Sequence, residues 1–429
     1  MFGFFASQDK KMRDNAANWL ELAEKVFQFR RDILAPAEVD ELQLRRSELQ
    51  LLVKEKAGAE KLKLAIERLE EVMRRTGGAV YPKTALIENV EFFLVAAIVI
   101  LGIRTYFVQP FKIPTNSMWP SYNGMTPEVF KTPAEEPGIP AMAARLLAFG
   151  AWPHRLNAPV EGEIFIPVGG EARGIVSCRV VGGRSWLVLP AQVREYTIFV
   201  GDEAVRTQVP MDFDFDWAVY EAFFGQSGRA YSVQNLLSEV QRKIDAREIV
   251  DRTINGQTVK CVRTGKRVRA GERIFSFDEL TGDQLFVDRM SYHFVRPSVG
   301  SGFVFRTGNI PDIARQAGDQ YYIKRLVGTP GDKLEIREPG LYRNGAPITG
   351  SSAFANNAQR ANRYSGYWSM GLLSPQRVTE VPKNAFMALG DNSYNSQDGR
   401  YWGFVPSKDV VGRPIFVYYP FASRWGPAR

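Results

Sequence analysis

The chain has 429 residues, a length that implies two to three domains and excludes a free-standing small module. Hydrophobic residues are 45% of it and charged residues 24%, so there is apolar material for packed cores and no case for global disorder. Lys and Arg number 55 against 47 Asp and Glu, a surplus of +8 that suits nucleic acid or an anionic membrane surface and is too small to name a partner.

Residues 1–85 read as a helical hairpin. Helix formers run from about Ser7 to Arg75, with apolar positions Leu20, Leu22, Ala23, Val26 and Phe27, then Leu42, Leu44, Leu49, Leu51 and Leu52, and Pro36 breaks the run. The second helix is long and strongly charged. With 16 Lys and Arg against 14 Asp and Glu, the pair reads as a solvated amphipathic unit rather than a dedicated binding arm. Gly77, Gly78 and Pro82 then precede the most hydrophobic stretch, residues 92–108, whose one charge is Arg104. We place a transmembrane helix at 90–109. About 17 apolar residues is the lower limit for a span, and an arginine near one end can snorkel to the interface. The competing readings are a buried core helix and, less well supported, a secretory signal, since no small-residue cleavage site closes the run. If the helix spans, Arg74, Arg75 and Lys83 before it, against Lys112 after it, favour a cytoplasmic N-terminus.

From Thr126 to about Gly282 the texture changes. Strand-like runs at 163–168, 185–189 and 196–200, then a helical stretch at 215–249, suggest an α+β domain. Strands and turns return after Asp283, at 300–306, 320–327, 333–337 and 411–419. Asn344-Gly345 reads as a hairpin turn, because both central positions of such a turn need positive φ.

Two cysteines, Cys178 and Cys261, are too few for a disulfide scaffold or a four-thiolate zinc site, and their spacing does not establish that they pair. Two histidines, His154 and His293, leave proton transfer to other residues. Three segments can carry chemistry. The first, Phe111-Lys112-Ile113-Pro114-Thr115-Asn116-Ser117-Met118-Trp119-Pro120, holds a serine between prolines; alone, such a serine is usually a turn or cap residue. In the second, Tyr321-Tyr322-Ile323-Lys324-Arg325-Leu326-Val327-Gly328, a lysine sits in a mostly apolar strand, and alternation aims Lys324 to the opposite face from Ile323 and Arg325. On a buried face it would lose its proton and serve as a base; on an exposed face it would be a surface charge. The third, residues 390–406, is dense in short polar side chains and suits a tight hydrogen-bonded loop. Calcium is the weaker option there, since no glutamate closes an EF-hand pattern.

Together and in this order, the segments resemble the bacterial type I signal peptidase family, membrane-bound serine proteases that remove signal peptides. Arg104-Thr105-Tyr106-Phe107-Val108-Gln109-Pro110-Phe111, with Ile113-Pro114 and Ser117-Met118, is similar to the family's helix exit and nucleophile segment. Val287-Asp288-Arg289-Met290-Ser291-Tyr292 and Gly300 to Phe305 resemble its next box, the Lys324 stretch the general-base box, and Gly390 to Pro406 the last. The run from Gly300 lacks the acidic contact usual at that point. The resemblance covers roughly residues 90–125 and 283–420.

The resemblance implies a mainly β fold: a signal-peptidase-like all-β catalytic body from 110–125 and 281–429, one N-terminal transmembrane helix, the helical hairpin before it, and an inserted α+β domain at 126–280. An insertion follows because Ser117 and Lys324 stand 207 residues apart, whereas the family joins the nucleophile segment to the next box by a short link. It further implies Ser117 as nucleophile, Lys324 as general base and Ser396 orienting the amine. The Ser117 N–H and the Thr115 hydroxyl would face the oxyanion. Phe111, Ile113, Pro114 and Ile323 would bind substrate in shallow apolar pockets, and Asp391, Asp398 and Arg400 would hold the last loop by ion pairs. No metal or organic cofactor is needed. The implied partners are preprotein signal peptides and membrane lipid, not nucleic acid, with the partner of the insertion open. The implied location is the inner (plasma) membrane, single-pass, with a cytoplasmic N-terminus and the catalytic domain on the outer, periplasmic side. Two rivals remain. A self-cleaving repressor with the same dyad would need a DNA-binding module and no anchor. A catalytically silent adaptor binding partners through the insertion would have no use for Ser117, Lys324 and Ser396.

Overall fold

A computed structural model describes residues 8–169, 174–185, 189–225, 231–254 and 256–428. The chain forms two compact units that part between Leu101 and Gly102.

In the first unit the expected hairpin is corrected to three helices: α1 Gln8–Arg30, α2 Pro36–Lys54 and α3 Ala59–Thr76. Pro36 opens α2, where its fixed φ and missing N–H are tolerated. The long second helix is cut because Lys56 turns to a φ of 53° and Gly58 stands extended at the cap of α3. Ala23, Val26, Leu42 and Leu49 share a core with Leu62, Leu69 and Met73, whereas Leu44 and Leu51 face solvent. Helix α4, Ala85–Tyr106, is strongly apolar and has no buried residue, so it does not pack into the described cores. By length and composition it can cross a membrane. It ends before the expected boundary at 109, because Val108 already begins a strand.

The second unit contains, among the described residues, an eight-stranded antiparallel sheet. Its order is Val108–Lys112, Gln284–Asp288, Val410–Tyr419, Gly302–Arg306, Tyr321–Gly328, Ala385–Leu389 and Val405–Pro406, with Gly426–Pro427 beside Val410–Tyr419. A four-stranded sheet carries the Lys333–Arg337 and Gly340–Arg343 hairpin, and the Asn344-Gly345 turn has the expected positive φ at both residues, 54° and 82°.

Residues 126–280 leave and rejoin this body at one place. Asp283 N donates to Asn123 O at 2.8 Å, and Asn123 N donates to the Asp283 carboxylate at 2.8 Å. A Cβ on Gly282 would fall 1.8 Å from Ile113 O, so only glycine lets these two segments come this close. With its ends joined, a long excursion costs little more than a short one, because closure entropy grows with the logarithm of length. Within the segment Thr126–Val129 and Trp152–Asn157 flank Arg273–Leu280, and a six-stranded sheet is built around Leu189–Val200, Gly162–Val168 and Gln257–Val268. Phe213, Phe215, Phe275 and Phe277 lie in a core of its own. The expected helical stretch is two pieces, Phe215–Val219, running on through a π-helical turn to Phe224, and Val233–Asp245; Ile249 already starts a strand. The middle of the run at 185–189 lies outside the described residues. Cys178 and Cys261 are free thiols, and burial pushes the Cys261 thiol up to about 11.

Candidate functional site

The segment leaving the first strand is held by asparagines. Ser117 sits in the single turn Asn116–Met118, whose flanking Thr115 is extended. Asn116 is buried; its Nδ2 donates to Met125 O at 2.9 Å and its Oδ1 accepts from Gly124 N at 3.0 Å. Asn392, on the last loop, clamps the same turn. Its backbone N donates to Ser117 O at 3.1 Å and its Nδ2 to Asn116 O at 3.1 Å. A Cβ on Gly390 would lie 2.5 Å from Ser117 O and 2.1 Å from Ser396 Oγ, so this loop must be glycine where it passes between them.

Lys324 lies on the central strand Tyr321–Gly328, between Gly302–Arg306 and Ala385–Leu389. From Lys324 to Gly328 every residue of this strand is buried, so neither face of that stretch is open to solvent. Lys324 is 3% exposed and donates through Nζ to Ser396 Oγ at 3.1 Å. Burial dominates its titration: desolvation pulls the amine down to about 8, with the Asp398 carboxylate opposing that fall and the Arg400 guanidinium adding to it.

Two buried ion pairs flank the amine. Arg400 donates to both oxygens of Asp398, from Nε to Oδ1 at 2.8 Å and from Nη2 to Oδ2 at 2.9 Å, and Asp398 Oδ2 also accepts from Gly390 N at 2.9 Å. Arg400 further donates to Ser393 O at 2.6 Å and Ser396 O at 3.3 Å, tying the turn that carries Ser396. Asp391 does not join this pair. Its partner is Arg325, 1% exposed, which donates from Nε at 2.8 Å and Nη2 at 2.6 Å, with Nη1 on Gly300 O at 2.7 Å. Ser121 bonds both Arg325 and Asp391. Arg325, Asn116 and Asn392 are the site-forming residues that sequence reasoning missed; a second cation in an apolar strand was the available signal for the first.

A cleft of about 830 Å³ brings the expected residues together: Phe111, Ile113, Pro114, Thr115, Ser117, Ile323, Lys324 and Ser396 all line it. Asp391, Asp398 and Arg400 stand behind it, buried. The chemistry such a cleft can support is attack by a hydroxyl with a neutral amine as proton acceptor. Among the described residues, no group of three or more His, Cys, Asp or Glu side chains is placed to hold a metal ion.

Residues 277–419 match the family described as signal peptidase, peptidase S26; this stretch holds Lys324, Asp391, Ser396, Asp398 and Arg400 and begins after Ser117, which lies outside it. The probable signal peptidase I-1 of Synechocystis sp. is 32% identical over 149 residues, 34% of this chain and 66% of that protein. The signal peptidase I of Leptolyngbya laminosa is 30% identical over 138 residues, 32% of this chain and 61% of that protein. An inactive signal peptidase IA of Staphylococcus aureus is 28% identical over 144 residues, 34% of this chain and 72% of that protein. The chain thus spans just under two thirds of the first relative's length and about three fifths of the second's. A crystal structure of a signal peptidase I from Enterococcus faecalis is 25% identical, covering 28% of this chain and 97% of that one, with a TM-score of 0.22.

Proposed function

We propose that this chain, which belongs to the type I signal peptidase family, works as a membrane-bound serine endopeptidase that removes signal peptides from secretory preproteins. Ser117 is the nucleophile. Lys324, neutral in an appreciable fraction near pH 8, takes its proton, and Ser396 aims the amine. The Ser117 N–H and the Thr115 hydroxyl receive the negative charge that develops on the scissile carbonyl oxygen. An extended substrate lies along the edge that leads to Ser117, with small side chains in the shallow pockets at Phe111, Ile113, Pro114 and Ile323.

Helix α4 is the single membrane anchor, with the first unit in the cytoplasm and the second beyond the inner membrane. Residues 126–280 are an insertion into the catalytic body. The observation that carries the reading is a buried lysine, its pKa lowered and its amine held by a serine, in the same cleft as Ser117.

The test is incubation of the detergent-solubilised chain with a secretory precursor and location of the cut by mass. Cleavage after the signal peptide, lost in Ser117→Ala, is the expected result; equal cleavage by both proteins would sink the reading. A second reading, a silent scaffold, draws on the relative named inactive. It expects no cut by either protein.

A further inference from the structure

The cleft has a second wall, supplied by residues 126–280. From this segment Ile175, Arg194, Tyr196, residues 211–216 and Tyr231 line the cleft that also holds Ser117 and Lys324. This wall is tied to both reactive segments. Trp119, two residues past Ser117, packs edge-on against Trp217 with ring centroids 5.4 Å apart, and Trp217 stacks on Tyr231 at 5.3 Å. Asn395, beside Ser396, donates from Nδ2 to Asp214 Oδ2 at 3.3 Å, while Asp214 Oδ1 accepts from Trp217 N at 3.2 Å and from Tyr231 OH at 3.0 Å. These contacts join the wall to the segments that carry Ser117 and Ser396.

An extended peptide shows successive side chains to opposite sides. If alternate ones enter the apolar pockets of the body, those between them face the 211–216 wall. Asp212, Asp214, Asp216 and Arg194 line the 126–280 side; burial pushes the Asp214 carboxyl up to about 6 and also raises that of Asp216, a rise that the backbone N–H groups of Ile175 and Val176 and the Arg194 guanidinium oppose. Asp216 already accepts from the backbone N–H groups of Ile175 at 2.7 Å and Val176 at 3.0 Å, and Asp214 is engaged as described. Asp212 is the carboxylate of this wall that stands exposed in the cleft.

We propose that residues 211–216 form a specificity-determining wall for substrate side chains that point away from the catalytic body, and that Asp212 sets a preference there for a basic over an acidic residue. The proposal rests on the peptidase reading. Its substrate class is an extended precursor peptide, read at the second residue before the cut.

The test uses the full chain in detergent and three peptides that differ only at that residue, Lys, Ala or Asp. The expected kcat/KM ratio of the Lys to the Asp peptide is about fivefold, the size of a solvent-exposed charge contact. Asp212→Asn should bring the ratio close to one and Asp212→Lys should invert it. A ratio unmoved by both substitutions, in a protein that still cuts, overturns the proposal alone. If the parent chain cuts none of the three, the peptidase reading falls and the proposal falls with it.

Discussion

The two units of the molecule differ in where their ion pairs lie, since only the second adds fully buried pairs to those on its surface. In the helical unit, pairs such as Arg74 with Glu70 and Lys25 with Glu21 lie on the surface at helical spacing, where water screens them. In the β unit, Arg325 with Asp391 and Arg400 with Asp398 are almost fully buried. Pairs of the second kind are expensive to break, because the survivor is left charged in a poor solvent. They also surround a lysine that has no such carboxylate partner: the hydrogen bond at its amine goes to a neutral hydroxyl. The body pairs its buried guanidinium groups with carboxylates and leaves one buried amine whose pKa desolvation lowers to about 8.

The largest effect is expected for Lys324→Arg, which keeps the charge and cannot become neutral; turnover should fall by about 10² to 10⁴, measured on a precursor peptide. Asp391→Ala comes next. With Arg325 left unpaired, the second unit should lose about 3–5 kcal/mol, read from denaturant unfolding.

The pH dependence is more graded. The folded pKa of Lys324 lies below its ordinary value, so the neutral base is scarce in acid; kcat/KM should climb about tenfold per unit up to pH of about 8 and then level off. By linkage, the unfolded chain binds the extra proton between about 8 and the ordinary value of 10.5, so stability of the body should rise with pH across that window. A flat rate profile would mean another base. Ser396→Ala should cost about tenfold in turnover and move the profile's midpoint, since the amine loses its hydrogen-bond partner. Smallest of all, Arg74→Ala in the helical unit should leave the unfolding midpoint where it is.

The local features were legible in the sequence because each is written in neighbouring residues. The apolar run of α4, the strand around Lys324, the Asn344-Gly345 turn and the polar density of residues 390–406 all follow from composition and period. The break at Lys56 to Gly58 was masked by strong helix formers on both sides, so three helices were read as two. Other features join residues far apart in the chain. Asp391 was expected to hold the last loop by an ion pair, and its partner, Arg325, stands on the lysine strand, 66 residues away.

What the sequence determined by itself, then, is the inventory: a hydroxyl between prolines, a lysine among apolar neighbours, a loop able to hold both, and an anchor-length helix. Tertiary structure decided how the inventory is used. Burial on both faces of one strand lowers the pKa of Lys324, and Gly124, Gly282 and Gly390 allow backbone approaches that no Cβ would permit. The return of residues 126–280 to their point of departure sets a second wall across the cleft. Desolvation and close approach depend on what lies across space, and periodicity along a chain carries no record of that.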